Sequence, residues 1–296
     1  MGALSNGSRM PAMYLPHGGG PSFFMTGERK RRYQSVEDFL RTVRSMLPAK
    51  PTAILIATAH WEPAAPSFTG AGQPELIYDY YGFPPETYEL QYGAPGHPGL
   101  AERASALLRK AGHPAEVDPH RRWGHGVFIP LKVMFPDADI PVVAMSLHAS
   151  LDPALHCELG AALRSLRDEG VLIVGAGMSY HNLGNFVAAA SASYQFHDWL
   201  DGALSGDWAE RTQRLARWSG APGGAGIAPA GGAPDAADDC KWRRRRLAGA
   251  TVMAGISGAE LSGCLGFRLE VAVAGPQRQA RAGILAATQA HCGPKG

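Results

Sequence analysis

Two uninterrupted aliphatic runs, Ala53-Ile54-Leu55-Ile56-Ala57 and Val171-Leu172-Ile173-Val174, constrain this chain more than any other feature. A strand with one wet face alternates apolar and polar residues. These two do not, so each should be covered on both faces, as in a sheet with helices packed against either side. Helical signals fall between them. Residues 36–47 carry Val36, Phe39, Leu40, Val43 and Leu47 at helical spacing and stop at Pro48. Residues 100–110 place Ala101, Ala104, Leu107 and Leu108 on one face, with Gly112 just beyond the end. A further strand is expected over 140–147 and a helix over 154–167. The fold class expected is α/β: a single domain with a mixed central sheet flanked by helices and a site at the strand ends.

Composition narrows the function classes. The 296 residues suffice for one large domain, and 45% hydrophobic with 18% charged residues is ordinary for a globular enzyme. A formal net charge of +2 gives no electrostatic case for nucleic acid or a membrane surface as partner. Cys157, Cys240, Cys264 and Cys292 form no C-x-x-C pair, which points to free thiols in a reducing compartment, the cytoplasm by default. No apolar stretch is long enough to span a bilayer, and residues 1–12 read as a flexible leader without a signal-peptide core.

The chemistry sits where the strands end. Pro16-His17-Gly18-Gly19-Gly20-Pro21 follows the apolar Met13-Tyr14-Leu15, and three glycines let backbone approach an ion or ligand closely. His60 closes the run that begins at Ala53, and Gly175-Ala176-Gly177-Met178-Ser179-Tyr180-His181-Asn182 closes the run that begins at Val171. Three strand-end imidazoles suggest one metal site with open positions, suited to zinc, iron, copper or nickel. His125 stands between two glycines in Trp123-Gly124-His125-Gly126, and its imidazole is an acid/base group for neutral pH. His97, His113, His120, His148, His156 and His197 read as structural, with His120 and His148 the first to promote. Residues 78–92 hold five of the nine tyrosines, and Pro84-Pro85 forbids a regular helix there. This is an aromatic loop of the kind that serves as a lid, a binding loop or a subunit contact in a homo-oligomer.

Pro-His-Gly-Gly-Gly-Pro, Ala-His-Trp, Tyr-Asp-Tyr-Tyr-Gly-Phe-Pro, Trp-Gly-His-Gly and Gly-Ala-Gly-Met-Ser-Tyr-His-Asn occur here in that order. Together they resemble the 4,5-DOPA extradiol dioxygenase branch of the class III, LigB-like ring-cleaving dioxygenases, over residues 13–219. The resemblance implies His17, His60 and His181 as metal ligands and His125 as the active-site acid/base. It also implies Fe(II) as the working metal, with Zn(II) able to take its place in purified protein, and a catechol and O2 as substrates of ring opening to a muconic semialdehyde. Tyr78, Tyr80 and Tyr81 are candidates to line the pocket for DOPA or another substituted catechol. Two other readings start from the same residues. His-Gly-Gly-Gly also serves esterases as an oxyanion-hole motif, but the G-x-S-x-G elbow that class needs does not occur in this chain. A catalytically silent metal- or aromatic-binding protein of the same fold is the other.

The resemblance stops near Ser219. Relatives continue with a segment like A-R-E-x-H-P-R-E-E-H-L-x-P-L, whose first histidine resembles a further metal ligand. This chain has no histidine between His197 and His291 and turns instead to Gly, Ala and the basic run Arg243 to Arg246. Residues 220–296 therefore read as an aberrant segment, disordered or frame-shifted. Permitted GC-rich codons for Gly223 to Asp239, read one base forward, translate as G-A-R-E-S-H-P-R-E-E-H-L-M-P-L-M. The expectation is a frame-shifted family member that has lost one imidazole, with metal binding and activity impaired.

Overall fold

A computed structural model describes residues 9–177 and 189–223. His181, the first eight residues of the expected leader and the tail from residue 224 onward lie outside the described residues. Among the described residues six strands form one mixed sheet: β1 (Ala12–Leu15), β2 (Ala53–Thr58), β3 (Ser67–Thr69), β4 (Glu116–Asp118), β5 (Val142–Met145) and β6 (Val171–Ala176), in the order β1-β6-β2-β5-β3-β4. β1, β6, β2 and β5 run parallel to one another, β3 pairs antiparallel to β5, and β4 runs parallel to β3. Every residue of β2 and β6 is buried, as their unbroken apolar runs require.

Helices cover both faces. On one lie α2 (Gln34–Met46) and α4 (His125–Met134), joined to the sheet through Leu40, Val43, Ile54, Ile56, Phe128 and Val174. On the other lie α3 (Pro98–Lys110), α5 (Pro153–Leu163), α6 (Ala189–Ala203) and α7 (Trp208–Ala216), packed around Leu55, Val143, Ile173 and Leu163. A short helix α1 (Gly27–Arg32) precedes α2. The helix expected over 154–167 ends as an α-helix at Leu163 and continues as a 3-10 turn to Glu169, closed by left-handed Gly170. The aromatic loop is irregular apart from a 3-10 turn at Pro85–Glu89. Part of the expected leader belongs to the packed domain. Met10 is fully buried, its N–H donates to the Arg167 carbonyl, and its own carbonyl accepts from the buried Arg167 guanidinium. No helix among the described residues is long and apolar enough to cross a membrane.

Strand order positions the site. β6 lies between β1 and β2, so the C-terminal ends of β1 and β2 flank the exit of β6, and ligands of open α/β sheets gather at such strand ends. Residues 17 and 60 follow immediately after β1 and β2.

Candidate metal and acid/base centre

His17, His60 and His125 converge. Each offers one ring nitrogen, and these atoms lie within 4.8 Å of one another. The His17 and His60 Nε2 atoms are 3.2 Å apart, and the His125 ring stands 4.2 Å from that of His60 between centroids. His17 and His125 are buried and His60 is half-buried.

The tautomers follow from the partners. A carbonyl only accepts, so the His17 Nδ1–H donates to Gly18 O (2.8 Å), and the lone pair is left on Nε2, facing His60. On His125, Nδ1–H donates to Asp79 Oδ1 (2.7 Å), and the same oxygen accepts the His125 backbone N–H (2.8 Å). That backbone N–H is one of the donors a helix start leaves without an internal partner, so Asp79 caps α4 and orients its first side chain together. Burial would raise the Asp79 carboxyl, but the hydrogen bonds and charge of His125 outweigh it and hold Asp79 below its usual value.

These donors suit a divalent cation. Metal–nitrogen bonds of about 2.0–2.1 Å place neighbouring ligand nitrogens roughly 3 Å apart, close to the separation of the two Nε2 atoms. The Nδ1–H of His17 and that of His125 are each anchored on oxygen, the arrangement usual for the second nitrogen of a metal-binding imidazole.

The glycines around the site make room for protein rather than for ligand. Gly18 and Gly20 take positive φ (+76° and +58°), and the space a Cβ would occupy at Gly18, Gly19 and Gly20 is filled by the rings of Phe23, Tyr33 and Phe83. At Gly124 it is filled by the Asp79 carboxylate. At Gly126 an added Cβ would lie 2.6 Å from Thr58 Oγ1 and 2.8 Å from His60 Cδ2. The glycines beside His125 thus admit Asp79 on one side and His60 on the other.

The tyrosines take three different positions. Tyr80 is buried, its ring centroid 5.9 Å from that of His125, and its hydroxyl donates to Thr87 O. Tyr78 lies behind it, with its hydroxyl donating to Leu90 O (2.7 Å). Tyr81 is 91% exposed. Sequence reasoning missed Asp79, although the one acid inside Tyr78-Asp79-Tyr80-Tyr81 was a signal in itself. His97 caps α3 by accepting the Leu100 N–H on Nδ1 (3.1 Å), in keeping with its structural reading.

Comparison with known proteins decides the family. The family described as "Catalytic LigB subunit of aromatic ring-opening dioxygenase" matches residues 11–220. The chain belongs to the LigB family. It is 47% identical over 188 residues to "Dioxygenase tasH" of Hapsidospora irregularis, covering 62% of this chain and 58% of that protein. It is 42% identical over 163 residues to "4,5-DOPA dioxygenase extradiol" of Beta vulgaris, covering 53% and 60%. The protein of that name from Escherichia coli K12 is 37% identical over 182 residues, covering 61% and 63%. The chain therefore spans about three fifths of the length of these relatives. A crystal structure of an uncharacterized Escherichia coli K12 protein superposes with a TM-score of 0.58 at 28% identity, covering 80% of this chain and 88% of that one. The LigB match ends at residue 220, close to the point where the motif resemblance ends.

Proposed function

We propose that this LigB-family chain is an extradiol ring-cleaving dioxygenase. It takes a catechol and O2 and opens the ring beside, not between, the two hydroxyl-bearing carbons, placing both oxygen atoms in a muconic semialdehyde. The observation that carries this reading is the convergence of His17 and His60 with a third imidazole, His125, that is itself held by a carboxylate. The printed names of the relatives support a DOPA-like catechol.

In this reading His17 and His60 hold the metal through Nε2, together with His181. A non-haem Fe(II) bound there supplies a Lewis-acidic centre and one-electron redox chemistry, whereas Zn(II) on the same donors supplies only the first. His125 keeps Nδ1–H on Asp79 and presents Nε2 as the base that takes a catechol hydroxyl proton and later returns it. The ionised Asp79 stabilises the imidazolium that forms meanwhile, and burial of His125 keeps competing water away. Tyr80 contributes a ring beside His125, Tyr78 supports that ring, and Tyr81 stands at the solvent-facing tip of the loop.

The tail completes the proposal. Residues 220–296 are read as a frame-shifted version of the family's C-terminal segment, so the chain as written is an impaired enzyme. Sequencing the gene across the codons for Ala216 to Asp239 tests this, and codons that cannot give the H-P-R-E-E-H segment in the neighbouring frame refute it. Fe(II) loading without oxygen, followed by oxygen-electrode assays on catechols, tests the activity. The restored-frame protein should bind more metal and consume one O2 per ring with a yellow product. Bound metal with no O2 uptake there would leave the silent-binder reading.

A further inference from the structure

We infer that Phe83 is a one-residue gate over the histidine cluster and that Arg29 holds it shut. The inference goes beyond the dioxygenase reading, because it concerns how anything reaches the imidazoles and not what happens to it there.

The layers run inward from solvent. Arg29, exposed on α1, lies with its guanidinium carbon 4.9 Å from the centroid of the Phe83 ring. Phe83 is half-buried. Its Cζ stands 3.0 Å from the point where a Cβ on Gly20 would lie, so the ring tip fills the socket that the missing side chain leaves, and its centroid is 5.4 Å from that of Tyr80. Gly20 and Tyr80 are buried beneath it. Gly20 belongs to the turn that carries His17, three residues earlier, and the Tyr80 ring is 5.9 Å from that of His125. Phe83 therefore bridges the two sides of the cluster, the turn of His17 and the ring beside His125, with an exposed cation over it.

The aromatic loop is anchored at its base and loose at its tip. Asp79 holds His125, the Tyr80 hydroxyl donates to Thr87 O, and Thr87 Oγ1 donates to Pro84 O (2.7 Å). Between these anchors stand Tyr81, 91% exposed, and Gly82, at φ +73° with open space where a Cβ would stand. The Phe83 N–H meets the Tyr88 hydroxyl only at 3.5 Å. A tip with so few contacts and a left-handed glycine can turn without disturbing its flanks. Pro84 and Pro85 follow directly and stiffen the chain, which confines the motion to residues 81–83. A cation–π contact at an exposed site shifts such an equilibrium roughly two- to fivefold, enough to bias a gate without locking it.

The experiment is carbethoxylation of the chelator-dialysed full chain by diethyl pyrocarbonate at neutral pH, with each histidine followed by peptide mass spectrometry. It needs neither metal nor catechol, so its outcome is separate from that of the dioxygenase reading. In the parent, buried His17 and His125 should react more slowly than exposed His120. Phe83→Ala should raise both rates about tenfold, the scale of burying part of one aromatic ring. Arg29→Met should raise them roughly two- to fivefold. Arg31→Met, exposed on the same helix, should leave them at the parent value. His120 and the enclosed His156 should keep their parent rates throughout. Parent rates at His17 and His125 in Phe83→Ala overturn the inference, and so does a parallel rise at His156, which would make Phe83 a prop of the whole domain. Where Phe83→Ala does not fold, the surface change Arg29→Met decides alone, and parent rates at both histidines overturn the inference.

Discussion

His125 and His156 are both buried imidazoles near the same end of the sheet, one at the start of α4 and one in the first turns of α5, and they differ in what holds their nitrogens. His156 is fully enclosed. Its Nε2 accepts the His148 backbone N–H (3.1 Å) and its Nδ1–H donates to Asp152 O (2.6 Å), so both nitrogens are engaged by backbone. Burial pushes its pKa down to about 4 against a smaller opposing pull from the Asp152 carbonyl, and it stays neutral as a clamp on the loop after β5. His125 has one nitrogen on a carboxylate and the other directed to its neighbours. Depth alone therefore says little about what a histidine does, and the partners of the two nitrogens say most of it.

The largest effect that would sharpen this contrast is on metal. His17→Ala or His60→Ala should reduce bound Fe(II) or Zn(II) to background in metal analysis of dialysed protein, while His156→Phe should not. Full occupancy in either of the first two would remove those residues from the site. Next comes His125→Gln, which should keep the metal and lose about 10²–10⁴-fold in turnover of the restored-frame protein. Loss of metal instead would make His125 a metal ligand rather than the acid/base. Asp79→Asn should cost about 10–100-fold, because the ring loses its anchor but not its chemistry. Steady-state assays with metal analysis read this, since turnover should fall while metal content stays at the parent level.

The effect at the clamp is on stability rather than on metal or turnover. Because the His156 pKa is lower in the folded chain than the ordinary 6.5, the unfolded chain binds the extra proton first. Stability is full above about pH 6.5 and falls as the pH drops toward about 4, by up to about 3 kcal/mol from this group. Chemical denaturation at several pH values should show that slope in the parent and a shallower one in His156→Phe. Asp79 adds loss of the same sign only below its ordinary carboxylate value.

Much of this contrast was legible in the sequence where the signal was local. β2 and β6 declare themselves by unbroken aliphatic runs, and α2 and α3 by a regular apolar stripe with a solvent-facing side. Helix α4 is buried at every residue but Lys132, so it has no stripe to read, and Gly126 and Pro130 disguise it further. β3 and β4 are three residues each, too short for a period. His17 and His60 could be paired from their strand-end positions. The Asp79–His125 contact joins residues 46 apart through a loop with no repeating pattern, and only the fold brings them together.

The strand order has a consequence for when the site comes into being. Among the described residues β1 hydrogen-bonds in the sheet to β6 alone, and β6 is the last of the described strands in chain order. Until residues 171–176 have emerged and inserted beside β2, His17 has no sheet to stand on, and His60 waits without its neighbour. Such long-range closure is slow compared with local helix formation. During refolding, the β1 amides should gain exchange protection in the same late phase in which metal is taken up, making metal capture a report that the whole sheet has closed.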